Sequence, residues 1–330
     1  MTSESPTPRA WVLNLDAEHE LEAARSYAPT LHLKQLVARE RQRLIGQLVG
    51  PHDVLVTEEL LQGGRDAARL ARGLPGFAWS PTPTALALLK RAGAIPIAAP
   101  PLEVLRSVNA RGFAASVRAP LAGSSFAKHT VDSIDAALTQ LAKPATDGWL
   151  VRRTFGAAGR GRRRLRAGLP TTDERAWLAA SLRRGTLVIE PWVSVTVEYT
   201  RSAFVRPDGA ITISPPCFQA TTEHGAWTRT ERAELGGVSR EDDVRLEEAV
   251  ALAGAALARA GYFGPFGIDA YRHKLPGGVA SVLNPLSEIN ARFTMDWATA
   301  MAAQPWDGEA RVRLDALTAR SETAASSLPA

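Results

Sequence analysis

Ser287-Glu288-Ile289-Asn290-Ala291-Arg292 decides how this chain reads. Side chains on a strand alternate between faces, so as a strand this segment would project Glu288, Asn290 and Arg292 together. Ile289 and Ala291 would turn into a core. Just upstream, Phe266-Gly267-Ile268-Asp269-Ala270-Tyr271 has the pattern of a neighbouring strand, and it could bring Asp269 to the same face. That face would offer two carboxylates, an amide oxygen and a guanidinium. Mg²⁺ requires hard oxygen ligands and commonly takes one or two carboxylates plus substrate phosphates. A fixed guanidinium beside it could stabilise charge on a transferring phosphoryl group. A polar strand end closed by surface ion pairs is the competing reading of the same residues.

The next informative segment is Val151-Arg152-Arg153-Thr154-Phe155-Gly156-Ala157-Ala158-Gly159-Arg160-Gly161-Arg162. A strand ending in basic residues runs into a glycine-rich loop. Glycines let backbone amides approach an anion closely, and arginines add charge-assisted hydrogen bonds. The Gly-Lys-Ser/Thr ending of a P-loop is absent, and the glycine spacing does not fit a dinucleotide fingerprint. Arg162-Arg163-Arg164-Leu165 reads as a strand returning in a hairpin. The segment therefore predicts a phosphate-covering β-hairpin flap, with an ordinary exposed basic hairpin as the alternative. Leu187-Val188-Ile189-Glu190-Pro191-Trp192-Val193 predicts a buried strand ending in a hinge, with Glu198 beyond it. Glu190 and Glu198 read equally as strand-end acids.

Around these segments the chain has 330 residues, 45% of them hydrophobic, which suffices for one large domain or two to three small ones. The net charge of +5 is a mild excess over a long chain and suits an anionic ligand. The basic run at Arg160, Arg162, Arg163 and Arg164 lacks interleaved stacking aromatics, which disfavours a nucleic-acid partner. Cys217 is the only cysteine, so neither a disulfide framework nor a thiolate zinc site can form within one chain. A buried structural thiol is expected there. The sequence has no apolar run of transmembrane length, and Met1-Thr2-Ser3-Glu4-Ser5-Pro6 lacks the pattern of a signal peptide. A soluble, cytoplasmic protein is expected, with no membrane partner.

Strands are expected at Trp11–Leu15, Asp53–Thr57 and Ile95–Ala99. Helices are expected over Leu33–Val49 and after Thr82-Pro83-Thr84, where a hydroxyl cap and an early proline mark the start. This alternation predicts a small α/β domain with a parallel sheet. Further on, a short strand is expected near Ser124-Ser125-Phe126 and helices over Asp132–Leu141 and Asp173–Arg183. Strands are expected at Trp149–Arg152, Leu187–Glu190, Val195–Phe204 and Ala210–Ser214. A long helix should run from Asp242 to Ala260, with Val244, Leu246, Val250 and Leu252 among its apolar positions and Gly261 as its stop. His224, in a Gly-containing segment, reads as a solvated loop, with the lining of an acceptor-substrate pocket as the alternative.

Taken in order, the flap, the hinge, the Gly267-Ile268-Asp269 strand and the Glu288-Ile289-Asn290-Ala291-Arg292 strand resemble the ATP-grasp superfamily. The likeness runs from Trp11 to Trp297, and the Glu-x-Asn-x-Arg motif with its upstream Asp is its most specific part. It implies an ATP-grasp fold of two α+β subdomains gripping ATP, preceded by a small α/β domain. The implied divisions are 1–100, 101–185 with the flap, 186–318 with the hinge and metal site, and a disordered tail over 319–330. Asp269, Glu288 and Asn290 would hold one or two Mg²⁺ (or Mn²⁺) ions on the ATP phosphates, and Arg292 would act at the reacting carboxylate. Arg111, Arg152 and the flap residues Gly156, Ala157, Gly159, Arg160 and Gly161 would bind phosphate. Glu190 with the backbone of Trp192 and Val193 would take adenine, and Glu198 the ribose. At the two positions where the family usually has phosphate-binding lysines this chain has Arg152 and Arg111, which bind bidentately but are bulkier.

The resemblance implies a ligase that activates a carboxylate as an acylphosphate for attack by an amine, from amino acid, peptide or small acid substrates. A nucleotide-binding relative without ligase activity, with a regulatory or scaffold role, is the other reading. A homodimer is compatible with either.

Overall fold

The computed structural model describes residues 8–23, 27–63, 69–119, 121, 129–156, 160–222, 227–234, 236–274 and 281–302, and the backbone of 312 and 313. The expected strand near Ser124–Phe126 and the tail over 319–330 lie outside these residues, as do Ala157, Gly159 and His224.

The chain begins as a parallel sheet of β1 (Ala10–Val12), β2 (Val54–Leu55), β3 (Pro75–Ala78) and β4 (Ile95–Pro96), in the order β2-β1-β3-β4. The parallel α/β character matches the sequence reading, but the partner of β1 on this side is β3, which the sequence hid. Proline and glycine argue against a strand, and β3 contains both. Gly76 is there because a Cβ would meet Leu89 at 3.2 Å and the Pro96 backbone at 3.3 Å. The predicted strand at Ile95–Ala99 shrinks to two residues on the sheet edge.

Helix Leu31–Arg41 is capped by Thr30, whose side chain accepts from the Leu33 amide, and it ends well before the expected Val49. Turns follow, including Gly46 at φ 82°. Helix Pro83–Arg91 carries its proline in the first turn as expected. Thr82 does not cap it, however: the Thr82 hydroxyl donates to Glu20 Oε2 at 2.6 Å instead.

A second, antiparallel sheet comprises β5 (His129–Val131), β6 (Trp149–Arg153), β7 (Arg162–Leu165) and β8 (Leu187–Pro191), ordered β5-β8-β6-β7. Helices Ile134–Leu141 and Thr172–Leu182 cover it, burying Leu141 and Leu178 with Val151 and Ile189. Thr171 and Glu174 form a reciprocal capping box at the start of the second of these. Ser133 caps the first, its side chain accepting from the Ala136 amide. Gly148, at φ 85°, opens β6 where a Cβ would lie 2.3 Å from the Leu165 carbonyl oxygen. Only glycine fits there.

The largest sheet has seven strands built on β9 (Ser194–Val205). One edge of β9 pairs along its length with β13 (Gly264–Lys274), which pairs in turn with β14 (Ser281–Asn290). The other edge takes β10 (Ala210–Ile213) and β11 (Cys217–Thr221), which carry β15 (Val312–Arg313) and β12 (Trp227–Arg232) respectively. Helices Leu102–Asn109, Arg111–Arg118 and Arg240–Arg259 pack on this sheet around Leu105, Val250, Leu257, Phe266, Ile268 and Leu286. Ser239 caps the long helix, and Gly261 at φ 81° follows its end. Leu246 and Val250 are buried as expected, whereas Val244 is 48% exposed. The β11–β12 pair lies outside the strands expected from the sequence.

The parallel sheet packs against the segment that follows β14. Trp11 stacks on Phe77 at 5.1 Å and meets the edge of Phe293 at 5.1 Å, and Trp79 and Trp297 join the cluster. The Phe293 amide donates to the Trp79 carbonyl at 3.1 Å. Among the described residues no helix is long and apolar enough to cross a membrane.

Candidate functional site

The register of β13 on β14 sets Asp269 directly opposite Glu288, and Asn290 opposite Gly267. Ile268, Ile289 and Ala291 are buried in the core behind them. The three oxygen-bearing side chains therefore share one face, as the alternation required. Asn290 Nδ2 donates to Asp269 Oδ2 at 3.0 Å. Gly267 keeps this face close to the next segment, since a Cβ would lie 2.8 Å from Thr294 Cγ2.

The strand stops at Asn290, so Arg292 is not a simple continuation of the row, contrary to the sequence expectation. Its Nε donates to Glu18 Oε1 at 2.6 Å, Nη2 to Asn290 Oδ1 at 3.1 Å and Nη1 to the Phe293 carbonyl at 3.0 Å. Its guanidinium lies 5.4 Å from the Trp79 ring centre. Glu18 draws Arg292 toward the parallel sheet, yet the guanidinium still touches the Asp269–Glu288–Asn290 group through Asn290.

The smaller antiparallel sheet faces this row with Arg152 on β6 and Glu190 on β8. Arg152 Nε lies 2.8 Å from Glu190 Oε1, and its Nη1 lies 3.7 Å from Glu288 Oε2. Arg111 opens its helix with the backbone amide on the Thr154 carbonyl at 3.1 Å. Its Nη1 is 2.7 Å from Glu288 Oε2, and Nη2 donates to the Gly156 carbonyl at 3.0 Å. Arg111 thus ties the base of the flap to the carboxylate row.

Burial pushes the Asp269 carboxyl well above the ordinary carboxylate range, and the Glu288 charge adds to that, against the Asn290 bond and Arg292. Burial acts on Glu288 in the same direction, but Arg111 and Arg152 overcome it and hold Glu288 below its usual value. The paired row therefore splits into a carboxyl that favours its proton and a carboxylate that stays charged. Burial opposes the charge of Arg152, and Glu190 and Glu288 more than restore it. Burial, then Arg152 and Arg111, lower the pKa of Arg162, the mark of crowded positive charge.

The row lies at the junction of two cavities. One, of about 740 Å³, lies between the two antiparallel sheets and is lined by Leu150, Arg152, Glu190, Trp192, Val193 and Glu198 among others. The other, of about 390 Å³, reaches the parallel sheet and is lined by Glu18, Val37, Trp79, Arg160, Trp227 and Arg292 among others. Arg152, Arg162, Asp269 and Glu288 line both. Two carboxylates and an amide oxygen on one buried face, open to a cavity on either side, are a donor set that fits Mg²⁺.

The sequence-predicted residues distribute as follows. Asp269, Glu288, Asn290, Arg292, Arg111 and Arg152 come together at the junction. Gly156 and Gly161 shape the flap: a Cβ on Gly156 would lie 2.5 Å from the Arg160 carbonyl, and Gly161 sits at φ 72°. Glu198 lines the larger cavity and accepts from Thr221 Oγ1 at 2.6 Å. Trp192 and Val193 line the larger cavity, and the Trp192 amide donates to the Gly148 carbonyl at 2.9 Å. Its ring lies beneath Arg164 at 4.6 Å. The sulfur of Cys217 is fully buried and its pKa is pushed up to about 11 by burial, in keeping with a structural thiol.

Sequence reasoning missed Glu18, Trp79 and Asp296, whereas Trp227, at the end of the segment whose alternative reading was pocket lining, does line the second cavity. Asp296 is buried in the second cavity's wall, accepts from Gln219 Nε2 at 3.1 Å and from Thr230 Oγ1, and has its pKa raised by burial. For Glu18 a signal existed: it follows the first strand of a parallel sheet, and in open α/β sheets ligands gather beyond the carboxyl ends of strands.

Three solved structures are similar to the chain over most of its length. A biotin carboxylase from Campylobacter jejuni, in complex with a β,γ-modified ATP, shares 13% identity at TM-score 0.55, covering 89% of this chain and 67% of that one. A D-alanyl-alanine synthetase A from Vibrio cholerae shares 13% identity at TM-score 0.50, covering 97% and 98%. A pyruvate carboxylase from Rhizobium etli shares 12% identity at TM-score 0.50, covering 90% of this chain and 27% of that one. The chain has the ATP-grasp fold. No protein-family model matches the sequence, and no curated protein matches it. The ATP-grasp likeness therefore rests on architecture.

Proposed function

We propose that the protein is an ATP- and Mg²⁺-dependent ligase that activates a carboxylate as an acylphosphate for attack by an amine. The observation that carries this reading is the row of Asp269, Glu288 and Asn290 at the junction of two cavities, faced by Arg111 and Arg152 and flanked by Arg292. The larger cavity takes the nucleotide, with its phosphates toward Arg111, Arg152 and the flap. Glu198 is placed for a ribose hydroxyl. The smaller cavity takes the acid and the amine, its apolar wall of Leu36, Val37 and Trp79 offering a surface for a side chain. Asp269, Glu288 and Asn290 would hold Mg²⁺, which when bound supplies charge neutralisation on the phosphates.

In the first step a carboxylate oxygen of the acid bonds to the γ-phosphorus, the bond to the β,γ-bridging oxygen breaks, and ADP leaves. In the second the amine bonds to the acyl carbon, the acyl C–O bond to phosphate breaks, and a proton leaves the nitrogen. Arg111 and Arg152 position and neutralise the phosphates, and Arg292 stands where charge develops on the acid. The flap excludes water from a reactive acylphosphate. Positioning and electrostatics carry such a reaction, so no nucleophilic side chain is required.

The test is ADP release with Mg²⁺, ATP and a panel of acids, with hydroxylamine trapping the acylphosphate as a hydroxamate. Glu288→Gln combined with Asn290→Ala should reduce turnover by about a hundredfold or more. Full activity in that double variant would overturn the assignment. Calorimetric ATP binding with no turnover across the panel would favour a binding protein without ligase activity.

A further inference from the structure

Each candidate cation ligand in the row is already held by a partner from the chain itself. Glu288 Oε2 has Arg111 Nη1 at 2.7 Å and Arg152 Nη1 at 3.7 Å. Asp269 Oδ2 accepts from Asn290 Nδ2 at 3.0 Å, and Asn290 Oδ1 accepts from Arg292 Nη2 at 3.1 Å. The side chains of Arg111 and Arg152 are each only 14% exposed, so both cations sit inside the site. A divalent ion arriving alone must displace them and stand beside two buried guanidinium groups, which repel it. An arriving polyphosphate does the opposite. It offers both arginines several oxygens in bidentate geometry, draws them off Glu288 and leaves the carboxylate to a cation.

We infer that Arg111 and Arg152 are placeholder cations that close the metal row until nucleotide arrives, making cation and nucleotide binding mutually dependent. The inference rests on the function proposed above and assigns the two arginines a positioning role on Glu288 beyond phosphate contact. Arginine suits this role because its planar fork spans two partners at once. Arg152 bridges Glu190 and Glu288, and Arg111 bridges Glu288 and the Gly156 carbonyl at the flap base. When phosphate recruits Arg111, its contacts with Glu288 and with the Gly156 carbonyl loosen together. Linkage requires the effect to be reciprocal: a cation must tighten nucleotide by the factor by which nucleotide tightens the cation.

The experiment measures Mn²⁺ binding by electron paramagnetic resonance of the free ion, correcting for Mn²⁺ held by ADP in solution. Wild type should bind Mn²⁺ about ten- to a hundredfold more tightly with saturating ADP than without, and Mn²⁺ should tighten ADP by the same factor. Arg111→Gln should raise Mn²⁺ affinity in the absence of nucleotide, and adding Glu288→Gln to it should remove that gain. Arg111→Met serves the same purpose if a thermal melt shows Arg111→Gln unfolded. Wild type binding Mn²⁺ equally well with and without ADP would refute the inference. So would unchanged nucleotide-free affinity in a folded Arg111 variant. Calorimetry with ADP separates the two failures: if the nucleotide site proposed above is wrong, ADP will not bind and will have no effect on Mn²⁺, while the Arg111 variants will still gain Mn²⁺ affinity.

Discussion

Replacing Arg152 separates two roles of the buried charge network. Its Nε stands 2.8 Å from Glu190, which is 2% exposed, and its Nη1 stands 3.7 Å from Glu288. At an effective dielectric of about 20 these contacts amount to about 6 and about 4 kcal/mol of gross attraction. Desolvation of three charges offsets most of that, so the net worth of the network is small. Removing one partner is different, because it strands the others. Arg152→Met leaves Glu190 without its closest cation, although the Arg118 charge still acts on the same network. Glu288 keeps Arg111. The expected loss is about 2–3 kcal/mol of folding stability, below the range for a wholly uncompensated buried charge because Arg118 still acts on Glu190. Arg152→Lys retains a cation but not the fork that reaches both carboxylates, and it should lose roughly half as much. Urea denaturation read by Trp fluorescence gives both numbers. A Met variant within about 1 kcal/mol of wild type would refute the reasoning, since a pair this buried cannot lose its cation at so small a cost.

Two further perturbations follow from the same geometry. Burial raises the pKa of Asp269, so its contribution to stability is fully present below the ordinary Asp value and is lost as pH rises through the folded-state pKa. Glu288 behaves oppositely: its pKa is held down by Arg111 and Arg152, so its contribution is present above the ordinary Glu value and is lost as pH falls through the lowered one. Asp269→Asn should therefore abolish the loss of stability that sets in as pH rises above the ordinary Asp value, and leave the metal-free protein more stable than wild type at neutral pH. Denaturation midpoints across that range check this, and parallel wild-type and variant profiles would count against it. Gly156→Ala would set a Cβ 2.5 Å from the Arg160 carbonyl and force open the flap base that Arg111 holds. Overpacking strain of about 1–3 kcal/mol should lower the melting temperature by a few degrees, and ADP affinity should fall about ten- to a hundredfold. Unchanged affinity by calorimetry would show that the flap does not close on nucleotide.

The sequence by itself determined the alternation at Glu288, Asn290 and their core-facing neighbours, because period-two patterning on a half-buried strand leaves one register that keeps Ile289 and Ala291 dry. It likewise determined the flap hairpin, the long helix from its cap to Gly261 and the parallel character of the first sheet, each set by local turn chemistry or periodicity. It hid β3, whose proline and glycine are demanded by close packing that only the folded neighbours supply. It hid the β11–β12 hairpin, whose second strand is largely exposed and lacks a buried face to read. Tertiary structure alone decided that Glu18 meets Arg292 across 274 residues of sequence and that two arginines occupy Glu288. Ion pairs between distant segments leave no local pattern, because a charge binds whatever opposite charge the packing brings within reach.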